Sequence, residues 1–184
     1  TNWTRRAAGL GTDGRTFGSS SAALAVGVGR FVVVGTLGLV ASSTDGIIWS
    51  AATTVTNDNL SSVVYGAGKF VALGTSGRTI ISNDGLNWSP GPALPESVTY
   101  VAFGGGLFAA AASSNYLYTS PDGTTWTRRS LPTTSSVRSL QYTGAGFLAP
   151  LSSTVPGEYV LSTDGLGWTK KQVNFNLTTT VNAM

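Results

Sequence analysis

One short motif occurs four times in this chain of 184 residues, and its regular return constrains the fold more than any other feature. The copies share the pattern Ser-x-Asp-Gly-x-x-Trp-Ser/Thr. They are STDGIIWS (43–50), SNDGLNWS (82–89), SPDGTTWT (120–127) and STDGLGWT (162–169). A motif that returns about every 40 residues predicts an architecture in which each repeat is one supersecondary unit.

A second landmark precedes each motif, where a glycine turn is followed by an aromatic residue and an apolar run. The four segments are GVGRFVVVG (27–35), GAGKFVALG (66–74), GGGLFAAAA (104–112) and GAGFLAPLS (144–152). The second repeat then divides into four predicted strands, at 62–65, 70–74, 79–82 and 87–89. We therefore predict an all-β β-propeller of four-stranded antiparallel blades.

The blade boundaries follow from the two landmarks. Four complete blades are expected at about 20–50, 61–89, 97–127 and 136–169, within a single domain of residues 1–184. Residues 1–6 echo the fourth strand of a further blade, and residues 173–184 would supply only a first strand. We therefore expect a segment of a longer polypeptide, or a ring that another chain completes, for example in a homo-oligomer. GTDGRTFG (11–18) is expected to form a surface hairpin or a degenerate motif.

The motif residues have a mechanical interpretation. In a hairpin the aspartate accepts hydrogen bonds from turn N–H groups, the glycine takes a positive φ, and the serine adds another bond to the backbone. The tryptophan is expected to pack beneath a neighbouring blade. The residues with these structural roles are Ser43, Asp45, Gly46, Trp49, Ser82, Asp84, Gly85, Trp88, Ser120, Asp122, Gly123, Trp126, Ser162, Asp164, Gly165 and Trp168.

These motifs resemble the Asp-box, also called the bacterial neuraminidase repeat, which lies between the third and fourth strands of propeller blades. The spacing between Asp and Trp is one residue shorter than in the usual Ser-x-Asp-x-Gly-x-Thr-Trp pattern. It is similar to a shortened form found in phage and bacterial repeat proteins. The resemblance covers nearly the whole chain and implies a propeller, while the altered spacing weakens the link to sialidases.

The composition argues against catalysis. Cysteine and histidine are absent, which excludes disulfides, zinc sites built on these ligands and Ser-His-Asp chemistry. Outside the motifs the acids are Asp13, Asp58, Glu96 and Glu158. Turn capping is favoured over calcium binding for the motif aspartates, because calcium takes about six or more oxygens. We expect no metal, no cofactor and no enzymatic activity.

Charge and hydropathy exclude two further partner classes. The net charge of +3 comes from scattered basic residues that form no stripe, so we expect no nucleic-acid binding. Residues 22–41 are apolar, but they contain Arg30 and align with the other repeats. Two buried strands are therefore predicted there, without membrane insertion.

Strand order suggests where a ligand would bind. The turns between second and third strands should share one face with the linkers between blades, and exposed loops carry most binding sites. The candidate ligand-binding residues in these turns are Arg78, Asn115, Tyr116, Glu158 and Tyr159.

The favoured function is a non-catalytic binding or structural module of a phage virion, such as a tail fibre, spike or decoration protein, or of a bacterial surface protein. Its partner would be a carbohydrate or another virion or surface protein, and its location the virion or the cell exterior. Two alternatives remain. One is a sialidase-like glycoside hydrolase completed by residues outside this segment, and the other is an assembly scaffold.

Overall fold

A computed structural model of the chain describes residues 23–51, 55–112 and 114–173. The first blade holds β1 (Ala23–Gly27), β2 (Arg30–Val34), β3 (Val40–Ser43) and β4 (Ser50–Ala51). The second holds β5 (Leu60–Gly66), β6 (Lys69–Gly74), β7 (Thr79–Ser82) and β8 (Ser89–Pro90). The third holds β9 (Val98–Gly104), β10 (Leu107–Ala112), β11 (Tyr116–Ser120) and β12 (Thr127–Ser130). The fourth holds β13 (Ser136–Val137), β14 (Gln141–Tyr142), β15 (Phe147–Ser152), β16 (Glu158–Ser162) and β17 (Thr169–Gln172).

The strands of each sheet pair in chain order, and all of the pairs are antiparallel. This arrangement confirms the predicted all-β propeller with four-stranded antiparallel blades. The predicted partial strand at 1–6, the segment 11–18 and all but residue 173 of the predicted partial strand at 173–184 lie outside the described residues. The apolar stretch contributes β1 and β2, and no helix in the described ranges is long and apolar enough to cross a membrane.

The first strand of the fourth blade is broken into β13 and β14. Pro150 lies opposite the break, in β15, and has no N–H group with which to continue the ladder. Its carbonyl oxygen still accepts a hydrogen bond from the Arg138 N–H at 2.8 Å. The break is therefore the local response of the partner strand to a proline in an inner strand.

The apolar core lies between blades, in three clusters. The first joins Val32 and Val34 of blade one to Phe70 of blade two. The second joins blade two to blade three, and the third joins blade three to blade four. Blades two and three thus bury both faces against their neighbours, as stacked sheets do, and blades one and four each bury one face in these clusters.

An aromatic residue near the end of the first strand in blades two, three and four locks each of these blades to the preceding one. A Cβ added to Gly27 would overlap the ring of Tyr65 in the next blade, and Gly66 and Phe103 have the same relation. Gly104 receives the ring of Tyr142 in the same way. Only glycine leaves room for a ring at these three positions. We call Gly27, Gly66 and Gly104 the glycine sockets. The ring that each one receives from the next blade is called its joint aromatic.

Candidate functional site

The four motif turns have nearly identical hydrogen bonds. In the second turn the Ser82 hydroxyl donates to Asp84 Oδ1 at 3.0 Å and accepts from the Gly85 N–H at 2.8 Å. Asp84 Oδ1 also accepts from the backbone N–H groups of Leu86 and Asn87, both at 2.8 Å. The serines of all four turns are buried, and the glycines have φ between 70° and 75°. These residues hold their hairpins together.

The motif tryptophans differ in burial. Trp88 is buried between blades one and two, whereas Trp49, Trp126 and Trp168 are half-buried. The indole nitrogens of Trp49 and Trp168 each donate to the carbonyl of the motif glycine at 3.2 Å. In each of the last three blades the joint aromatic packs against the phenylalanine that follows the glycine turn, and this phenylalanine packs against the motif tryptophan. In the third blade the ring centroids of Phe103 and Phe108 are 4.6 Å apart, and those of Phe108 and Trp126 are 6.4 Å apart.

The turn hydrogen bonds favour the ionised form of the motif aspartates. The pKa of Asp84 lies well below its ordinary value of 3.8 because the Asn87 and Leu86 N–H groups and the Asn87 side chain bind the carboxylate. A lowered folded-state pKa stabilises the protein above the unfolded value, and this contribution is lost as the pH falls towards the folded-state pKa.

We therefore predict that Asp84→Asn lowers the melting temperature at about pH 7 and lowers it less at about pH 3, because at the lower pH the unfolded aspartate already binds the proton that the folded carboxylate still resists. Thermal unfolding of both proteins at the two pH values measures the difference. Asn83→Ala, a change in the same exposed turn, should show no such pH dependence. An Asp84→Asn effect of equal size at both pH values would contradict the prediction.

The turns between second and third strands do share a face with the linkers between blades. Leu94 N–H donates to Gly77 O at 2.8 Å, and Leu131 N–H donates to the Asn115 carbonyl at 2.9 Å. The predicted ligand residues therefore lie in, or at the start of the strand after, equivalent turns of three successive blades. The structure does not gather them into one pocket.

Two of the predicted residues are held in ion pairs. Arg78 Nε lies 2.9 Å from Asp58 Oδ2, and the pKa of Asp58 is lowered by the Thr56 hydroxyl and by Arg78. Glu158 Oε1 lies 2.6 Å from Lys170 Nζ, which lowers the pKa of Glu158. Tyr159 lies beside Glu158 on the outer face of the fourth blade, next to Leu148 and Pro150.

Tyr116 lines a cleft with a volume of about 670 Å³. We call it the proline cleft. One wall is the linker 92–96, and the other carries Tyr116, Tyr118, Trp126 and Arg128 of the third blade.

Aromatic and charged groups meet on the blade side of the proline cleft. The Arg128 guanidinium lies 3.3 Å from the centroid of the Tyr116 ring, a cation–π contact. Tyr118 donates to Glu96 Oε1 at 2.7 Å, and Ser114 donates to Glu96 Oε2 at 2.9 Å. Burial, followed by the neighbouring Glu96, raises the pKa of Tyr118 to about 12. Both carboxylate oxygens of Glu96 thus accept hydrogen bonds within the protein. Arg128 is the charged side chain of the cleft for which the described residues provide no carboxylate partner.

The linker wall is anchored to the second blade. Thr79 is the first residue of β7, and its carbonyl oxygen accepts a hydrogen bond from the Gly91 N–H at 2.9 Å. Its hydroxyl donates a second hydrogen bond to the Pro92 carbonyl at 2.6 Å. Pro92 and Pro95 have fixed φ angles, which reduces the freedom of the wall further. The cleft is therefore formed before any ligand arrives.

The sequence analysis named Tyr116 as a candidate and did not name the other residues that line the proline cleft as ligand residues. Trp126 was assigned only a structural role, and Arg128 and Glu96 were not assigned to a ligand. Two signals were present: three prolines within 90–95, and Tyr116 and Tyr118 separated by one residue. Residues with this spacing point to the same face of a strand, but the pattern alone does not show that the linker 92–96 forms the opposite wall of a cleft.

The described residues contain no group of three or more His, Cys, Asp or Glu side chains positioned to hold a metal ion. Asp58, Glu96 and Glu158 lie in the linker or turn of different blades, and each has a local partner. Asp13 lies outside the described residues.

The fold resembles several solved structures at low sequence identity. YCF48 from Cyanidioschyzon merolae is 20% identical with a TM-score of 0.62, covering 88% of this chain and 60% of that chain. YCF48 bound to D1 peptide is 15% identical with a TM-score of 0.61, covering 82% of this chain and 53% of that chain. AFV00434, an ancestral GH74 enzyme, is 17% identical with a TM-score of 0.61, covering 84% and 25%. The chain thus spans 60% or less of each of these proteins.

No curated protein matches the chain in sequence. The profile of the DUF6242 beta propeller domain matches residues 30–137, which is more than half of the chain. This match begins in the second strand of the first blade and ends in the first strand of the fourth, so it follows the blades that the structure describes. The chain belongs to the DUF6242 beta propeller domain family.

Proposed function

We propose that this chain is a non-catalytic binding module that holds an extended segment of a partner protein in the proline cleft. The observation that carries the proposal is the preformed cleft of about 670 Å³, with Arg128 stacked on Tyr116 at 3.3 Å. Concave sites with aromatic walls and a few oriented polar groups are typical of ligand-binding sites.

A protein partner is favoured over a carbohydrate for two reasons. The structurally similar YCF48 has been solved with a bound peptide, which makes a peptide a reasonable ligand for a propeller of this shape. The proline cleft is also rich in proline and aromatic side chains, which suit apolar side chains of an extended segment.

The charges indicate an acidic group in the partner. Glu96 has both oxygens hydrogen-bonded within the protein, whereas no carboxylate of the described ranges pairs with Arg128. A guanidinium binds a carboxylate through two parallel hydrogen bonds. The expected ligand therefore carries a carboxylate beside an apolar or aromatic residue.

A non-catalytic role is supported by the separation of the acids. Glycosidases place two carboxyl groups on either side of one bond. Here Asp58, Glu96 and Glu158 belong to different blades and each is engaged by a neighbouring side chain. A sialidase-like hydrolase would need further acids from outside the described residues. The likeness to the GH74 enzyme concerns the fold, which hosts many functions.

The finer identity and the setting are part of the same proposal. The Ser-to-Asp and Asp-to-backbone bonds of the motif turns are consistent with repeats of the shortened Asp-box type. A rigid module of tight turns suits the exterior of a phage particle or a bacterial cell, where it would contact another surface protein.

The experiment is a binding screen with an array of short peptides that vary in charge and aromatic content, run beside a glycan array. We expect acidic peptides with an apolar or aromatic neighbour to bind. Tyr116→Ala and Arg128→Ala should each weaken binding tenfold or more, which corresponds to about 1.4 kcal/mol.

Arg129→Ala is the matched control. Arg129 is the next residue on the same strand, and its Nε donates to Thr119 Oγ1 at 3.2 Å rather than lining the cleft. Its removal should leave peptide affinity unchanged. Glycan binding that is lost in Tyr116→Ala would show that the cleft binds carbohydrate and would contradict the proposed peptide ligand. Hydrolysis of glycosides by the protein would contradict the non-catalytic role.

A further inference from the structure

We propose that Asp164 is a site of spontaneous isoaspartate formation, and that the hydrogen bonds of the motif turns restrain the same reaction more strongly at Asp84 and Asp122. Each of the four motifs places a glycine directly after its aspartate. Glycine has no side chain to hinder attack by its own amide nitrogen, so this dipeptide is among the most reactive in an unfolded chain. None of these aspartates lines the proline cleft.

The reaction closes a five-membered ring between the aspartate and the glycine. The glycine nitrogen attacks Cγ of the aspartate and gives up its proton, the carboxyl group gives up a hydroxyl group, and one water leaves as the succinimide forms. Water then opens the ring at either carbonyl, which yields aspartate or isoaspartate without oxidation or reduction. The carboxyl group has to be protonated to react, because a carboxylate is a poor electrophile.

The motif serine opposes ring closure in the folded protein. The N–H of Gly85 donates to Ser82 Oγ at 2.8 Å, and the N–H of Gly165 donates to Ser162 Oγ at 2.8 Å. Ring closure turns the peptide group until its nitrogen faces Cγ, which takes the N–H away from the serine oxygen. Both serines and both glycines are buried, so the N–H group would lose its partner without gaining water.

Backbone N–H groups hold the first carboxylate oxygen in every turn. In the fourth turn Asp164 Oδ1 accepts from the Leu166 N–H at 2.8 Å and from the Gly167 N–H at 3.1 Å. These bonds place the pKa of Asp164 below its ordinary value of 3.8. The protonated form that reacts is therefore scarce near neutral pH.

The second carboxylate oxygen distinguishes the inner turns. Asp84 Oδ2 accepts from Asn87 Nδ2 at 2.8 Å, and Asp122 Oδ2 accepts from Thr124 Oγ1 at 2.6 Å. A carboxyl group that is held at both oxygens cannot rotate towards the glycine nitrogen without breaking bonds on both sides. These two aspartates are therefore the better protected.

The fourth turn lacks a side-chain donor for this oxygen. Its corresponding residues are Leu166 and Gly167, and neither side chain can donate a hydrogen bond. Within 23–51, 55–112 and 114–173, no group donates to Asp164 Oδ2. Asp164 is also exposed, so water reaches the ring that has to be opened. The geometry thus places the fastest reaction at Asp164.

The test adds a donor to the fourth turn and removes one from the second. Gly167→Asn supplies the amide that Asn87 provides in the second turn, and Asn87→Ala removes that amide. Both positions are exposed, and nothing lies within 4 Å of a Cβ at Gly167. The folded native protein and each variant are incubated near neutral pH and digested with trypsin. Electron-transfer fragmentation then locates isoaspartate at each position, because the two isomers give different backbone fragments.

In the native protein we expect Asp164 to accumulate isoaspartate faster than Asp84 and Asp122. Gly167→Asn should slow the reaction at Asp164 by about fivefold, which corresponds to a hydrogen bond of about 1 kcal/mol, and Asn87→Ala should accelerate it at Asp84 by a similar factor. Gly167→Ala is the matched control, since it adds a Cβ without a donor. Equal rates at the three native sites, or a Gly167→Asn protein no slower than Gly167→Ala, would overturn the proposal.

Ser82→Ala tests the serine with an internal control. It removes the acceptor of the Gly85 N–H and the donor to Asp84, so the rate at Asp84 should rise about tenfold or more. Asp122 in the same molecule should keep its native rate. An unchanged rate at Asp84, or a rise of the same size at Asp122, would overturn local protection by the serine. Peptide binding is measured separately, so these outcomes leave the proposed function unaffected.

Discussion

Replacing Trp88 with alanine is expected to lower the free energy of unfolding by about 3–5 kcal/mol, as for other buried tryptophans. Trp88 is 5% exposed and packs against Phe70 at a centroid distance of 6.3 Å, within the cluster that joins the first two blades. Its loss would leave a cavity at this joint that rigid sheets cannot close. Urea unfolding followed by circular dichroism measures the change.

Two controls separate packing from other effects. Trp88 Nε1 has no hydrogen-bond partner, so Trp88→Phe removes no bond and should cost about 1.5 kcal/mol or less. Leu166 lies in a motif turn and is 51% exposed, so Leu166→Ala should change the free energy of unfolding by about 0.5 kcal/mol or less. Equal losses for Trp88→Ala and Leu166→Ala would contradict a role for Trp88 in the joint.

Replacing Gly66 with alanine is expected to destabilise the protein by about 1–3 kcal/mol through overpacking. The new Cβ would overlap the Phe103 ring, which is itself held against Phe108 at 4.6 Å. The ring cannot withdraw without disturbing the core between the second and third blades. Thermal and urea unfolding of the variant measure the loss.

Gly167→Ala is the matched control, because nothing lies within 4 Å of a Cβ at that position. It should be close to neutral. The double change Gly66→Thr with Phe103→Val adds volume on one side of the socket and removes it on the other, and should recover part of the loss of Gly66→Thr alone. If Phe103→Val only adds to the damage, the volume argument for the joint is wrong.

The cleft and the joint are mechanically linked. The linker wall of the proline cleft is bonded to Thr79 of the second blade, while Tyr116 and Arg128 belong to the third. A peptide bound there would touch both blades, so under the proposed function its affinity would depend on the glycine socket between them. We therefore expect changes at Gly66 to weaken binding as well as stability.

The hairpin motifs could be interpreted correctly from the sequence because their chemistry is local. Asp84 accepts hydrogen bonds from N–H groups two and three residues away, and Ser82 bonds to Asp84 and Gly85. The spacing of these residues in the sequence is therefore enough to predict the turn. The repeat then determined the number of sheets. The start of β8 at Ser89 rather than at 87 is a small difference, since Trp88 turns inward before pairing begins.

The sequence by itself determined the propeller, its four blades, and the turns that hold each blade, because all of these depend on short-range bonds repeated at a constant period. Only the tertiary structure decided which glycine receives which ring, since Tyr65 and Gly27 are far apart in the chain. It also decided that Glu96, Tyr116 and Arg128 share one cleft while Arg78 and Glu158 are bound elsewhere. The physical reason is that such contacts are set by how one sheet stacks on the next, and stacking has no signature within a single repeat.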